Sequence, residues 1–253
     1  MSRLALIVSP PLDPEGPSVP VRHPPLQSLT IAAGLKASGW SVRVWDLYPA
    51  GMNWKKLMDY SLRPKVVVVV YREYDRPSQE RTLRWSVEHI RRVYPEARMI
   101  LAGSRDEEEG NNFLSAYLDF EAAFHDLPEW TIPRYLWGED AEEGSVIRGL
   151  EGRRELAPLQ VSLDDLPFPA WETVGGPARY NHGAPHRYLL KPYAPVLALR
   201  GCPNRCTFCD SSAFACSTPL RVRRPRKVVE EVRYLQSRYG VREIQFAEPL
   251  FNW

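Results

Sequence analysis

The chain has 253 residues, enough for one or two domains with a substantial core. Hydrophobic residues make up 44% and charged residues 25%, with 33 Lys and Arg against 31 Asp and Glu; this balance argues against nucleic acid or a membrane surface as the main partner. The most apolar stretch, Val66 to Tyr71, falls far short of the ~20 residues that span a bilayer. The opening run Leu4 to Val8 ends at Pro10-Pro11 with no basic leader and no small-residue cleavage site, so a cytoplasmic protein is expected.

In chain order, strand-like and helix-like segments alternate to about residue 150. Leu4 to Val8 is a short apolar run of buried-strand type, followed by a proline-rich loop. Leu26 to Ala37 reads as a helix, with Leu29, Ala32, Ala33 and Lys36 at helical spacing and Gly39 placed to stop it. Val42 to Leu47 reads as a strand, Trp54 to Leu62 as a short helix, and Lys65 to Tyr71, with its run of valines, as a strand. Ser78 to Val93 reads as an amphipathic helix with Leu83, Val87, Ile90 and Tyr94 on one face. Arg98 to Gly103 is the next strand, Asp106 to Glu109 an acidic helix start, and Phe120 to Phe124 with Tyr135 to Trp137 the source of a fifth strand. Continuous apolar strands alternating with helices predict a doubly wound α/β domain with a parallel sheet. Ligands of such sheets bind outside the carboxyl ends of the strands, here Ser9-Pro10-Pro11, Asp46-Leu47-Tyr48, Tyr71-Arg72 and Gly103-Ser104. No GxGxxG follows the first strand, so the usual dinucleotide fingerprint is absent.

The chain carries 24 prolines, well above the about 5% of average proteins, many of them near residues 10–25 and 158–195. The second group, including Leu166-Pro167-Phe168-Pro169-Ala170-Trp171, predicts a connector packed by its aromatics. Pro195 to Leu199 then reads as a strand, Arg226 to Arg238 as a helix capped by Gly240, and Val241 to Phe246 as a strand. Together these make one βαβ unit. Between its strand and its helix lie all four cysteines, and such clustering suits a metal site better than a disulfide framework. Cys202, Cys206 and Cys209 stand in C-x3-C-x2-C spacing on one tight loop. Three thiolates can hold three irons of a cubane and leave the fourth iron without a protein ligand, an open position for chemistry. A structural zinc site that also uses Cys216 competes with this, although zinc ligands usually come as two C-x2-C pairs and only Cys206 and Cys209 form one.

The segment Cys202 to Cys209 resembles the cluster loop of the radical S-adenosylmethionine superfamily, whose pattern is C-x3-C-x-aromatic-C, with Phe208 as the aromatic residue. The resemblance implies a [4Fe–4S] cluster on Cys202, Cys206 and Cys209, S-adenosylmethionine on the open iron, and its reductive cleavage to a 5′-deoxyadenosyl radical. It also implies that Phe208 lies beside the adenine. Phe246-Ala247-Glu248-Pro249 is similar to the family's Gly-Gly-Glu-Pro segment with alanine in place of one glycine, and by that likeness Glu248 would bond the methionine amino group.

Upstream, Pro10-Pro11, the helix from Leu26, Trp137-Gly138-Glu139-Asp140-Ala141-Glu142 and Leu166 to Pro169 resemble the cobalamin-binding domain that precedes the radical barrel in one subgroup. Ser9, Pro10, Gly103, Ser104, Gly138 and Glu139 then become candidate corrinoid contacts. Gly103-Ser104 either lets the backbone approach the corrinoid tail or only turns the chain from strand to helix. A methylthiotransferase would need a second cysteine trio, and there is none before residue 202. Arg221 to Lys227 is a basic stretch, either solvated or reaching an anionic ligand, and His182 and His186 read as surface histidines. The resemblance implies three regions: a cobalamin-binding-like Rossmann-type domain over 1–152, a connector over 153–192, and the first βαβ unit of an incomplete (β/α) barrel over 193–253. It implies methylation of an unactivated carbon, with a ring-forming reaction or a non-catalytic corrinoid and iron–sulfur module as alternatives. The implied partners are a small-molecule or peptide substrate and an electron donor of flavodoxin or ferredoxin type. Because a full barrel needs about 250 residues, a truncated or split enzyme is expected, its barrel completed elsewhere, as by a separate chain, or not at all.

Overall fold

The structure is a computed structural model that describes residues 3–10, 24–47, 60–71, 76–103, 107–139, 145–147, 159, 161–181, 188–202, 204 and 220–248. Short apolar runs form its main sheet. Leu4–Ser9 (β1), Ser41–Asp46 (β2), Val66–Val70 (β3), Arg98–Ala102 (β4) and Phe120–Phe124 (β5) pair in parallel in the order β2-β1-β3-β4-β5, and Ser145–Ile147 (β6) joins β5 antiparallel at the edge. All five valines of β3 are fully buried, as expected of a central parallel strand covered on both faces.

Strand alternation divides the core. Val67 and Val69 pack with Leu83, Val87 and Ile90 of α2 (Arg76–Val93) and Leu114 of α3 (Glu107–Ala116). Val66, Val68 and Val70 pack on the other face with Ile31, Ala32 and Leu35 of α1 (Leu26–Ala37) and Ile132 of α4 (Pro128–Leu136). Each such fully buried aliphatic side chain contributes about 1.5–3 kcal/mol of transfer free energy.

Gly39 ends α1 as its position suggests. It takes φ 88°, its N–H donates to Lys36 O, and the Trp40 N–H donates to Leu35 O, the paired bonds of a Schellman cap. The expectation for Tyr135 to Trp137 is corrected: Tyr135 belongs to helix α4 and Trp137 to the turn after it. Pro128 sits at the first helical position, where its fixed φ favours helix and its missing N–H costs nothing. Of the expected helix Trp54 to Leu62, residues 54–59 lie outside the described residues, and Tyr60 and Ser61 form a turn.

The helix α1 serves two cores. Its Leu29 packs away from the sheet among Trp171, Val174, Tyr180, Ala194, Val196, Val228 and Leu235. The connector reaches it through three single 3₁₀ turns, Leu163–Asp165, Trp171–Val174 and Pro177–Tyr180. The Ala170 N–H donates to Leu29 O at 3.0 Å, and the Tyr180 hydroxyl donates to the buried Asp46 Oδ2 at 2.7 Å. Beyond the connector, Tyr193–Val196 (β7), α5 (Pro225–Tyr239) and Glu243–Phe246 (β10) make the expected parallel βαβ unit. The strand expected over Pro195 to Leu199 is split. β7 ends at Val196, and Leu199–Arg200 (β8) turns aside to pair antiparallel with Arg221–Val222 (β9).

Candidate functional site at the root of the cysteine loop

The chain passes from β1 outward to β2 and then back across β1 to β3, so the order reverses between β1 and β3. In open α/β sheets that switch point, at the carboxyl ends of the strands, is where ligands bind. Ser9 and Pro10 close β1 there. The Ser9 side chain is buried, with its Oγ 2.6 Å from Ser28 Oγ in the first turn of α1. Gly103 ends β4 with φ 98°, and a Cβ on it would fall 2.6 Å from Tyr71 O and 3.2 Å from the Gln27 side-chain amide. The chain's own packing therefore requires this glycine, whatever else approaches it. Ser104 lies outside the described residues. Gly138 and Glu139 are not brought to this crevice. They follow the end of α4 beside Trp137, whose indole N–H donates to Ser38 O and whose ring lies 3.9 Å from the Arg3 guanidinium. Arg3 precedes β1, so these residues sit at the amino ends of the strands, opposite the crevice.

The cysteine loop leaves β8 through Arg200 and Gly201, the latter at φ 88°, and Cys202 follows as a partly exposed free thiol. Cys206, Phe208, Cys209 and Cys216 lie outside the described residues, and among the described residues no three His, Cys, Asp or Glu side chains converge on a metal position. The two stems of the loop are described. They are joined by the pairs Leu199↔Val222 and Arg200↔Arg221, and extended by the Arg223 N–H donating to Ala198 O at 2.8 Å. Arg221 donates from Nη1 to Asp126 Oδ1 at 2.9 Å and from Nη2 to Asp126 Oδ2 at 2.8 Å, a bidentate fork. Arg200 Nη1 lies 2.7 Å from Glu129 Oε1, in ionic contact without hydrogen-bond alignment. Asp126 follows β5 at its carboxyl end and Glu129 lies in the first turn of α4. Both stems are thus tied to the rim of the sheet at the carboxyl ends of its strands.

Glu248, two residues past β10, stands at the same root. Its Oε1 accepts the Ala198 N–H at 3.2 Å, while Oε2 is buried without a hydrogen-bond partner among the described residues, and the residue is only 8% exposed. Burial pushes its carboxyl above the ordinary range, and its own backbone N–H, those of Ala198 and Ala247, and Arg223 hold the shift back. Arg223 Nη1 donates to Leu197 O at 2.8 Å and to Glu231 Oε2 at 2.5 Å. Burial also raises the Glu231 carboxyl, opposed by Arg223. The basic stretch 221–227 is therefore largely engaged by the chain's own carboxylates: Arg221 by Asp126, Arg223 by Glu231 and Arg224 by Asp164. Asp126, Glu129 and Glu231 carry no motif. For Asp126 and Glu129 the only sequence signal is the Leu127-Pro128 helix start, which places two acids at the end of a strand.

No protein-family model matches the chain. Over 95 residues, 38% of this chain and 19% of the other, it is 30% identical to an uncharacterised methyltransferase of Pyrococcus horikoshii. Its fold is similar to that of the cobalamin-dependent S-adenosylmethionine radical enzyme OxsB, solved with aqua-cobalamin and S-adenosylmethionine bound. The TM-score is 0.70 over 99% of this chain and 34% of OxsB, at 15% identity. Apo OxsB gives 0.65 over the same shares. The likeness is one of fold, and the chain spans about a third of the length of OxsB.

Proposed function

We propose that the chain is the N-terminal part of a cobalamin-dependent radical S-adenosylmethionine enzyme that methylates an unactivated carbon of a small-molecule or peptide substrate. The observation that carries this is the tie between the two halves: the stems of the cysteine loop are fastened to Asp126 and Glu129, on the same rim as the switch-point crevice. Cys202, Cys206 and Cys209 would hold three irons of a [4Fe–4S] cluster, the donor set that thiolate spacing favours. The unpartnered Glu248 Oε2 fits an ammonium donor, because a buried carboxylate oxygen without a bond is costly until one arrives. It would receive the amino group of S-adenosylmethionine, with Phe208 beside the adenine. The case for the corrinoid rests on the β2-β1-β3-β4-β5 order and on the crevice that ends at Pro10 and Gly103. When bound, the cluster supplies an electron for cleavage of S-adenosylmethionine and the corrinoid supplies a methyl carrier. The likeness to the archaeal methyltransferase supports methyl transfer among the possible reactions. A flavodoxin- or ferredoxin-like donor would reduce the cluster, and further strands, on this polypeptide or a separate chain, would close the barrel beyond β10.

Binding of S-adenosylmethionine to the anaerobically reconstituted chain tests the assignment of Glu248. Loss of a hydrogen bond to a charged group, worth about 1.5–3 kcal/mol, predicts that Glu248→Gln weakens binding by about 10- to 100-fold, and that Cys202→Ala abolishes it. Equal affinity in wild type and both variants would overturn the proposal.

A further inference from the structure

We propose that Asp126 and Glu129 are positioning residues for the cysteine loop, which make the loop's placement depend on the N-terminal sheet; the proposal rests on the cluster-binding role given to that loop above. The two acids are three residues apart, just past the carboxyl end of β5, and each meets a different stem. Asp126 takes the Arg221 fork with both side chains buried, 8% and 11% exposed. Glu129 meets Arg200, two residues before Cys202, and its own side chain is only 1% exposed. A cavity of about 40 Å³ lies at this seam, lined among others by Glu129, Arg200, Arg223, Glu231 and Leu197.

The outer ends of the stems are held by Arg223, Arg224 and Glu248, but at the ends nearest the cysteines the ion pairs of Arg200 and Arg221 are, among the described residues, the side-chain ties to the sheet. β8 and β9 are two residues each, and an isolated two-stranded ribbon is at best marginally stable in water. A buried ion pair also adds little net stability, since desolvation offsets most of the attraction, but a bidentate arginine fork fixes direction as well as distance. The Asp126 fork fixes the returning stem at Arg221, and the Glu129 ion pair holds the outgoing stem at Arg200 beside the same rim. A ligand that moves the rim of β5 would move the stems with it.

Hydrogen exchange on the full chain without cofactors tests this directly, in wild type, Asp126→Asn, Glu129→Gln, Asp126→Glu and Tyr180→Phe. The first two variants should speed exchange over residues 197–202 and 220–224 at least tenfold, with β1, β3 and β4 unchanged. Asp126→Glu, which keeps the charge, should recover most of the protection. Glu129→Gln is the milder change, and it decides the matter if Asp126→Asn does not fold. Tyr180→Phe loses a buried hydrogen bond remote from the stems and should leave the stem amides protected. After reconstitution, Asp126→Asn and Glu129→Gln should hold several-fold less iron and sulfide than wild type. Unchanged exchange at the stems, or the same acceleration in Tyr180→Phe, would overturn the inference. A wild type that takes up no iron and sulfide would instead overturn the proposed function, and the exchange result would still decide the role of the two acids.

Discussion

Glu248 has one oxygen bonded to Ala198 and one without a hydrogen-bond partner among the described residues, in a setting that raises its carboxyl above the ordinary glutamate range chiefly by burial. Two opposite pH dependences follow. A raised folded value means that the fold favours the protonated acid, so this stability is fully present below the unfolded value of about 4.3 and is lost as pH rises through the folded one. Glu248→Gln removes the titration, so urea unfolding at successive pH values should show wild type losing stability relative to the variant as pH rises through that window. Affinity for S-adenosylmethionine should run the other way, because only the ionised carboxylate attracts an ammonium group, and should rise with pH over the same window. Two profiles of the same sign would contradict this role. At this scale the legible signals are local: the cysteine spacing and the Ala247-Glu248 segment are patterns of neighbouring residues. The partner of Glu248 is not such a signal, since Ala198 lies 50 residues away and offers only a backbone N–H.

At the scale of elements, the packing of α1 on α4 sets the rim of the site. Pro133 has no N–H to give the Glu129 carbonyl, and at that carbonyl Gly34 of α1 comes against α4. A Cβ at residue 34 would fall 1.9 Å from Glu129 O, a backbone atom that cannot swing aside. Gly34→Ala should therefore cost about 3 kcal/mol by overpacking, measured by urea unfolding, and should shift the start of α4 with its Glu129. Gly39→Ala, where nothing lies within 4 Å and only the left-handed φ is strained, should cost about 1–2 kcal/mol. Equal losses would contradict the close approach. The helices were legible from the helical spacing of their apolar residues, and the parallel strands from short continuous apolar runs such as the valines of β3. Tyr135 to Trp137 misled because three large apolar residues suit a strand, whereas Leu127-Pro128 upstream had already started a helix. β8 and β9 are too short to carry any period, and long-range pairing defines them.

Across the whole molecule, elements distant in sequence meet at one end of one sheet. Arg221 reaches Asp126 across 95 residues, Tyr180 reaches Asp46 across 134, and α1 belongs to both cores. No local pattern encodes such meetings. Periodicity gives elements but not neighbours, so the strand order and the fastening of the loop had to come from the structure. By contrast, the separation of Gly138 and Glu139 from the crevice follows from the simple fact that α4 runs back toward the amino ends of the strands. In the proposed function, three thiolates of the loop would grip a cubane whose fourth iron stays free. Mössbauer spectroscopy of the anaerobically reconstituted chain, with and without S-adenosylmethionine, measures it most directly. The account predicts about four irons per chain, one of them distinct and altered by S-adenosylmethionine, and all lost in Cys202→Ala. Zinc in place of iron, or four irons indifferent to S-adenosylmethionine, would contradict it.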